Sequence, residues 1–196
     1  MARTEIKIGG FGGQGVILSG YIIGRAAAIY DHKHATMIQA FGPEARGSAC
    51  SAQIVVAEEP IAYPYITVPQ IMVVMSQEAY TKFSPELAEG GVLISEEELV
   101  KTHNLRKDLK HFSIPATRFA EELGRKMVLN IVMMGFWTAV SGLIGVEAMR
   151  SAVKVSVPVS VSFERAGARV VVPPGRGPMS TLRATGPCGV NSTAPS

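Results

Sequence analysis

The sequence predicts an α/β fold: an open, mostly parallel sheet with helices on both faces, followed by an irregular C-terminal tail. Three observations support this prediction. A short strand with alternating apolar residues runs into a cluster of glycines and restarts as a helix, and later segments of strand and helix length alternate along the chain. Residues 70–75 form a strongly apolar run, typical of a strand covered on both faces. The strand–glycine–helix start makes the predicted fold Rossmann-like.

The predicted elements follow in chain order. The first strand covers residues 4–8, and the first helix covers residues 16–30, where three successive alanines favour helix. Further strands are predicted at residues 34–39, 51–57, 70–75, 92–94 and 111–114. Further helices are predicted at residues 77–83, from residue 96, at residues 116–123, within 127–145 and at 146–153. Ser95 and Glu98 have the spacing of a capping box for the helix that would begin at Glu96.

The glycine cluster predicts an anion site. Its spacing satisfies G-x-G-x-x-G, and it lies between a strand and a helix, where backbone N–H groups and the helix terminus favour phosphate. The candidate binding residues of this loop are Gly10, Phe11, Gly12, Gly13, Gln14 and Gly15. The alternative is a tight turn whose glycines serve close packing only.

A dinucleotide site is disfavoured because its second requirement is missing. Such a site has an acidic residue at the end of the second strand, which accepts hydrogen bonds from the ribose hydroxyls. The second strand here ends in Ile38-Gln39-Ala40-Phe41, and Asp31 precedes it.

A second loop, residues 41–48, leaves the carboxyl end of the second predicted strand, where open α/β sheets place ligands. Its charged residues are Glu44 and Arg46. They are candidate contacts for a ligand or partner, and a local ion pair that stiffens the loop is the equal alternative.

The chain of 196 residues predicts one domain, residues 1–158, and a Pro/Gly/Ser-rich tail, residues 159–196. The tail lacks hydrophobic periodicity and is expected to be disordered, or ordered only on a partner.

The tail carries the whole net charge of +3, so residues 1–158 are neutral. A neutral body argues against nucleic acid as the main partner.

Catalytic chemistry of common types is not indicated. The two cysteines, Cys50 and Cys188, have no metal-site or cluster spacing, and the four histidines lack ligand neighbours. There is no serine-nucleophile motif and no phosphate-loop Lys-Ser/Thr after the glycines. We therefore expect no catalytic residue and no metal site, and the cysteine usage with a polar N-terminus favours a cytoplasmic location.

A stretch of nineteen uncharged residues, Met127 to Gly145, could just span a bilayer. Asn130, Ser141 and three glycines argue against this, as does the α/β pattern before it. We expect a helix buried between the sheet and a partner subunit, and no membrane association.

The two glycine motifs together resemble a known family. Residues 9–16 (GGFGGQGV), followed about thirty residues later by residues 42–47 (GPEARG), are similar to the gamma subunit of 2-oxoacid:ferredoxin oxidoreductases, and residues 130–135 (NIVMMG) fit that pattern too. The resemblance covers residues 3–158 and is strongest to the 2-oxoglutarate branch, with pyruvate and ketoisovalerate branches close. The tail does not resemble the ending of such subunits, so nothing functional is carried onto it.

The resemblance implies a complex that decarboxylates a 2-oxoacid on thiamine diphosphate, passes electrons through iron–sulfur clusters to ferredoxin and transfers the acyl group to coenzyme A. Those cofactors would lie on alpha, beta and delta-type partner subunits, because this chain has too few thiolates for a four-iron cluster and no thiamine-binding motif. Coenzyme A would be the direct ligand of the glycine loop, and the isolated chain would be inactive and could form a homodimer. Two alternatives stay open: a purely structural subunit, and a stand-alone nucleotide- or coenzyme-binding protein.

Overall fold

The computed structural model describes residues 3–40, 49–103, 105–124 and 126–157. These described residues contain six strands: β1 (Thr4–Phe11), β2 (His34–Ala40), β3 (Ala49–Ala57), β4 (Ile71–Val74), β5 (Val92–Glu96) and β6 (Lys110–Ile114). The same part of the chain contains five α-helices: α1 (Val16–Arg25), α2 (Gln77–Phe83), α3 (Ala116–Glu122), α4 (Leu129–Ser141) and α5 (Val146–Ser156). A π-helical segment, Ala26–Tyr30, continues α1, and 3-10 turns cover Ser84–Glu86 and Lys126–Val128.

The strands form one mixed sheet in the order β2-β3-β1-β4-β5-β6. β3 runs antiparallel to both of its neighbours, and β1, β4, β5 and β6 pair in parallel. Five strands therefore point the same way and β3 points the other way. The connection between β2 and β3 is short, residues 41–48, and a parallel crossover needs a dozen or more residues, so β3 returns as an antiparallel neighbour.

Helices cover both faces of the sheet, as predicted. On one face, α1, α4 and α5 bury a large core with the side chains of Ile6, Ile8 and Ile54. On the other face, α2 packs Tyr80 and Phe83 against Met72 and Leu93. The predicted α/β fold is confirmed, with the antiparallel β3 as its departure from a Rossmann sheet.

The uncharged stretch, residues 127–145, contains α4. This helix is shorter than one that would span a bilayer. Gly142, with φ 58°, stops α4 at Ser141 in the left-handed conformation that glycine adopts readily. Most of α4 is buried by this chain's own elements, including the fully buried Trp137. The expected covering by a partner subunit is therefore not needed to explain its burial. Within the described ranges, no helix has the length and apolarity required to cross a membrane.

The predicted capping box at Ser95 and Glu98 is wrong, because the chain continues as β5 through Glu96 and then turns. The Ser95 hydroxyl is hydrogen-bonded to Nε2 of His111 at 2.8 Å instead. The Glu96 carboxylate is fully buried and accepts the N–H groups of Glu98 and Leu99 in the turn and of Thr117 in the first turn of α3. A buried carboxylate thus orders the connection that the local pattern assigned to a helix.

Candidate functional site

The glycine loop, residues 12–15, connects β1 to α1 at the carboxyl edge of the sheet. Gly13 has φ 96° and Gly15 has φ 76°, both in the left-handed region where a Cβ is strained. Gly12 and Gly13 are exposed, so the backbone of the loop is open to solvent at its tip. The turn places Gly13 and Gly15 in a conformation that residues with a Cβ rarely adopt, so glycine at these two positions favours it.

The loop lies at the point where the strand order changes direction. The chain leaves β1 toward β2 on one side, and it leaves β4 toward β5 on the other. In open α/β sheets the crevice at such a switch point is where ligands bind. The predicted position of the anion site therefore coincides with the position that the topology favours.

The side chain of Gln14 spans this switch point. Its Oε1 accepts the N–H of Phe11 at 2.7 Å, and its Nε2 donates to the carbonyl oxygen of Met75 at 2.9 Å. The Gln14 amide thus joins the end of β1 to the residue after β4.

Close packing explains some of the glycines but not all of them. A Cβ on Gly9 would lie 2.7 Å from the Phe83 ring, and one on Gly10 would lie 2.7 Å from Oε1 of Gln14. A Cβ on Gly15 would lie 2.6 Å from the Asn130 amide. A Cβ on Gly13 would have no heavy-atom neighbour within 4 Å among the described residues. Among Gly9, Gly10, Gly13 and Gly15, Gly13 is therefore the one whose glycine is explained by backbone conformation and access rather than by packing.

The N-terminus of α1 differs from that of α2. Ser76 caps α2 by accepting the Ala79 N–H on its hydroxyl at 3.2 Å. α1 has Gly15 as its N-cap, with no side-chain cap and no acidic residue in the first turn. The first backbone N–H groups of α1 are therefore left for a ligand or solvent, and the partial positive charge there favours an anion.

The structure places six of the eight predicted site residues at the end of β1 and in the glycine loop that follows it: Gly10, Phe11, Gly12, Gly13, Gln14 and Gly15. Glu44 and Arg46 lie outside the described residues, and their contacts stay a prediction. The chain enters β3 beside the glycine loop, because Ala49 pairs with Phe11 and Cys50 pairs with Gly10. The first residues of β3 therefore lie next to the end of β1, from which the glycine loop leaves.

Cys50 is buried behind the loop rather than presented in it. Its Sγ donates to the carbonyl oxygen of Gly10 at 3.4 Å, and the side chain is almost fully covered. Burial raises the pKa of the Cys50 thiol, so the thiolate is disfavoured. This cysteine is not placed as a nucleophile.

Sequence reasoning missed the contact of Asn130 with the glycine loop. Asn130 lies in the first turn of α4, is 2% exposed and contacts Gly15 across 115 positions of sequence. A detectable signal was present, because a buried amide in an otherwise uncharged apolar helix needs a partner. That partner could not be named from local pattern.

Other features lie away from the loop. In the described ranges, no group of three or more His, Cys, Asp or Glu side chains is placed to hold a metal ion.

A cavity of about 640 Å³ opens at the opposite, amino edge of the sheet and is lined by Glu86, Arg106 and Asp108 among others. Arg106 and the Gly90 N–H hold the pKa of Asp108 down to about 2, and Arg106 also donates to the carbonyl oxygen of Leu87. Arg106 and Asp108 are paired with each other and stabilise a turn, and Glu86 is paired with Lys7.

Comparison with known proteins identifies the family. Residues 5–165 match the family model described as pyruvate ferredoxin/flavodoxin oxidoreductase. A 2-oxoglutarate synthase subunit KorC from Methanocaldococcus jannaschii is 46% identical over 158 residues, covering 80% of this chain and 84% of the relative.

Two solved structures share the fold. The gamma subunit of a keto/oxoacid ferredoxin oxidoreductase from Geobacter sulfurreducens has a TM-score of 0.73 and 34% identity, covering 82% of this chain and 88% of that one. A 2-oxoglutarate:ferredoxin oxidoreductase from Magnetococcus marinus, with 2-oxoglutarate, coenzyme A and succinyl-CoA bound, has a TM-score of 0.69 at 18% identity. This chain covers 27% of the Magnetococcus chain, which therefore shows the fold alone.

The predicted resemblance to gamma subunits, with 2-oxoglutarate as the nearest branch, is confirmed by these relatives. The family match spans most of the chain and includes β1, the glycine loop and α4. The chain therefore belongs to the pyruvate ferredoxin/flavodoxin oxidoreductase family.

Proposed function

We propose that this chain is the gamma subunit of a 2-oxoacid:ferredoxin oxidoreductase, with 2-oxoglutarate as the substrate class. The complex would convert the 2-oxoacid and coenzyme A to acyl-CoA and carbon dioxide and pass two electrons to ferredoxin. The observation that carries the proposal is the 46% identity to a 2-oxoglutarate synthase subunit over most of both chains. The chain would act within that complex in the cytoplasm and be inactive by itself.

Thiamine diphosphate and the iron–sulfur clusters are proposed to lie on alpha, beta and delta-type partners. A four-iron cluster takes four thiolates, and the sequence has two cysteines, of which Cys50 is buried. Thiamine diphosphate would supply the carbanion chemistry of decarboxylation on a partner. This chain's own residues would bind and orient a substrate rather than react with it.

The local role that we propose for the glycine loop is to bind a phosphate-bearing part of coenzyme A. The exposed backbone at Gly12 and Gly13 and the uncapped start of α1 support this role. Gln14 would hold the loop in shape, and Arg46 of the neighbouring loop would add a charged contact. Binding there would fix the coenzyme against the sheet edge so that its thiol reaches the reacting carbon on another chain.

A purely structural role is the main alternative, and one observation favours it. Gly9, Gly10 and Gly15 are each explained by contacts with side chains of this chain. Gly13 is not explained in this way, so it is the position at which the two functions can be separated.

The test compares Gly13→Val with Gly90→Val in the assembled complex. Both glycines have positive φ and open space around a built Cβ, but Gly90 lies before β5 at the opposite edge of the sheet. Co-expression with alpha, beta and delta-type subunits should yield a complex that reduces ferredoxin with 2-oxoglutarate and coenzyme A. Gly13→Val should raise the KM for coenzyme A, and Gly90→Val should not.

Two results would contradict these proposals. If the chain never associates with those subunits, the oxidoreductase function is wrong. If Gly13→Val assembles normally and has the same KM for coenzyme A as Gly90→Val, the loop is a packing turn. Size-exclusion chromatography of the chain expressed alone would test whether it forms the proposed homodimer.

A further inference from the structure

β2 forms one edge of the sheet, and among the described residues no strand pairs with its outer side. It pairs with β3 over all seven of its residues without a bulge. It contains no Lys, Arg, Asp, Glu or Pro, whereas natural edge strands carry such residues to prevent pairing with another chain. β6, the other edge, has five residues and begins with Lys110. β2 is therefore the edge that is left open to a further strand.

The helix above β2 leaves room beside this edge. Gly20 of α1 lies over the gap between β2 and β3, because a Cβ on it would lie 2.8 Å from both Cε of Met37 and Cβ of Ala52. One turn further on, a Cβ on Gly24 would meet no heavy atom within 4 Å among the described residues. Tyr21, the neighbour of Gly20, is 55% exposed. The side of α1 above the edge can thus receive another helix.

The position of α1 fits a second copy of this chain. Neighbouring strands are about 4.8 Å apart, so a two-fold axis just outside β2 would lie about 5 Å from the gap over which α1 runs. An axis perpendicular to the sheet places both copies of α1 on the same face, about 10 Å apart. Packed helices have their axes about 8–10 Å apart. The two helices would therefore pack against each other once the two strands pair.

The sequence of β2 suits pairing with itself. Full overlap of two antiparallel copies puts Met37 at the axis, with Thr36 opposite Ile38 of the second copy and His34 opposite Ala40 of the second copy. Like charges directly opposite each other destabilise a strand pair, and in this register no Lys, Arg, Asp or Glu faces its own kind. A second copy is thus an occupant that the edge accepts without repulsion.

Exposed aromatic side chains extend the surface on the other face of the sheet. The Thr36 hydroxyl donates to the carbonyl oxygen of Pro64 at 3.4 Å, which places that segment beside β2. Tyr63 and Tyr65 flank Pro64 and are 56% and 52% exposed. An interface of standard size buries about 800 Å² on each partner, so side chains on both faces must join the strand edges. The two tyrosines and Tyr21 supply apolar area there.

We propose that β2 pairs antiparallel with β2 of a second copy, about a two-fold axis at Met37. The pairing would give one continuous sheet with two α1 helices packed above the axis. The proposal rests on the homodimer that is part of the proposed function, and it names the surface of that dimer.

The first experiment measures dimerisation of the full chain by sedimentation equilibrium in two double variants. Both positions, Thr36 and Ile38, are half-buried in β2. Thr36→Lys with Ile38→Lys puts like charges opposite each other across the axis and should raise the dimer dissociation constant at least about tenfold. Thr36→Glu with Ile38→Lys puts opposite charges there and should keep that constant within about threefold of wild type. Far-UV circular dichroism checks that both variants fold.

The second experiment tests the axis by cross-linking. Met37→Cys and Phe112→Cys are each made in a Cys188→Ser background, and both residues are the half-buried middle residues of an edge strand. Directly opposed residues of paired strands have Cβ atoms as close as about 4.5 Å, within the range of a disulfide. Oxidation should join the Met37→Cys chains into covalent dimers on a non-reducing gel and leave the Phe112→Cys chains monomeric.

The outcomes separate this inference from the rest of the proposed function. A wild-type chain that is monomeric at every concentration would overturn both the homodimer and this inference. If the Thr36→Lys, Ile38→Lys variant of such a monomer also fails to join its partner subunits, the edge serves a strand of a partner instead. Equal dissociation constants for wild type and that variant would overturn this surface and leave the homodimer standing. Equal weakening in both double variants would contradict the register. The ferredoxin-reduction assay is independent of all these results.

Discussion

Gln14 and Met75 lie 61 positions apart in sequence, and the side-chain amide of Gln14 donates to the Met75 carbonyl oxygen at 2.9 Å. The same amide accepts the Phe11 N–H, so one side chain replaces two backbone hydrogen bonds where β1 and β4 separate. The loop that was predicted from glycines is therefore held in place by its glutamine. If the loop binds a ligand as proposed, this fixed shape would lower the ordering cost of binding.

We predict that Gln14→Ala lowers the free energy of unfolding by about 1–3 kcal/mol, because it leaves a partly buried N–H and carbonyl without partners. Gln77→Ala is the matched control. Gln77 makes the same pair of bonds, to the backbone N–H and carbonyl oxygen of Lys101, but in an exposed setting where water replaces them. Urea unfolding should show a clearly larger loss for Gln14→Ala, and equal losses would contradict the role given to Gln14.

Glu96→Gln should destabilise the chain strongly. The Glu96 carboxylate is fully buried and accepts three backbone N–H groups, and an amide has one acceptor oxygen and brings donors into a site that needs none. Charge-assisted bonds of this kind contribute about 1.5–3 kcal/mol each, though not additively, so we expect a loss of about 3 kcal/mol. Glu98→Gln removes an exposed carboxylate that faces Arg118 at 3.6 Å and should cost less than about 1 kcal/mol. Similar thermal midpoints for the two variants would show that Glu96 does not order the turn.

The His111 ring makes the stability depend on pH near neutrality. Burial lowers the pKa of His111 below its ordinary value of about 6.5, so the unfolded chain binds a proton more readily than the folded one. The stabilisation is fully present above the unfolded pKa and is lost as the pH falls through about 6.5 toward the folded pKa. Urea titrations between about pH 5.5 and 8 should show this loss in wild type and a smaller one in His111→Gln. If the free energy of unfolding of His111→Gln falls with pH as steeply as that of wild type, His111 does not cause the dependence.

Cys50 should be slow to alkylate in the folded protein. Burial raises the pKa of its thiol and covers the sulfur, and both effects reduce attack on iodoacetamide. Peptide mass spectrometry should find Cys50 labelled on the order of tenfold more slowly in buffer than in urea. Equal rates would mean that the start of β3 opens readily beside the glycine loop.

The fold was predictable from local pattern where the determinants are local. The strand before the glycines, the helix after them and α2 at residues 77–83 follow from periodicity and turn residues that are close in sequence. The antiparallel direction of β3 depends on the length of a connection rather than on any residue in the strand. The false helix at Glu96 arose because Ser95 bonds His111, which lies on the neighbouring strand.

The candidate site, too, was predictable where it depends on residues close in sequence and not where it depends on distant contacts. Glycine spacing predicted the loop and its place at the sheet edge, since both depend on backbone conformation within a few residues. The contacts of Gln14 with Met75 and of Gly15 with Asn130 join residues 61 and 115 positions apart, and no local pattern contains them. Packing thus decides at which glycine the backbone is accessible to a ligand, and the sequence motif does not distinguish one glycine from another.

The C-terminal boundary gives the last prediction. We predicted a domain of residues 1–158 because the composition of residues 159–196 offers no hydrophobic periodicity that could offset the entropy of ordering. The family match, however, runs to residue 165. On the composition argument, truncation after Pro158 should shift the thermal midpoint by no more than about 2 °C relative to the full chain. Truncation after residue 165 should give the same midpoint. A chain of residues 1–158 that melts many degrees below a chain of residues 1–165 would move the boundary to residue 165, and a loss in both would show that the tail packs against the domain.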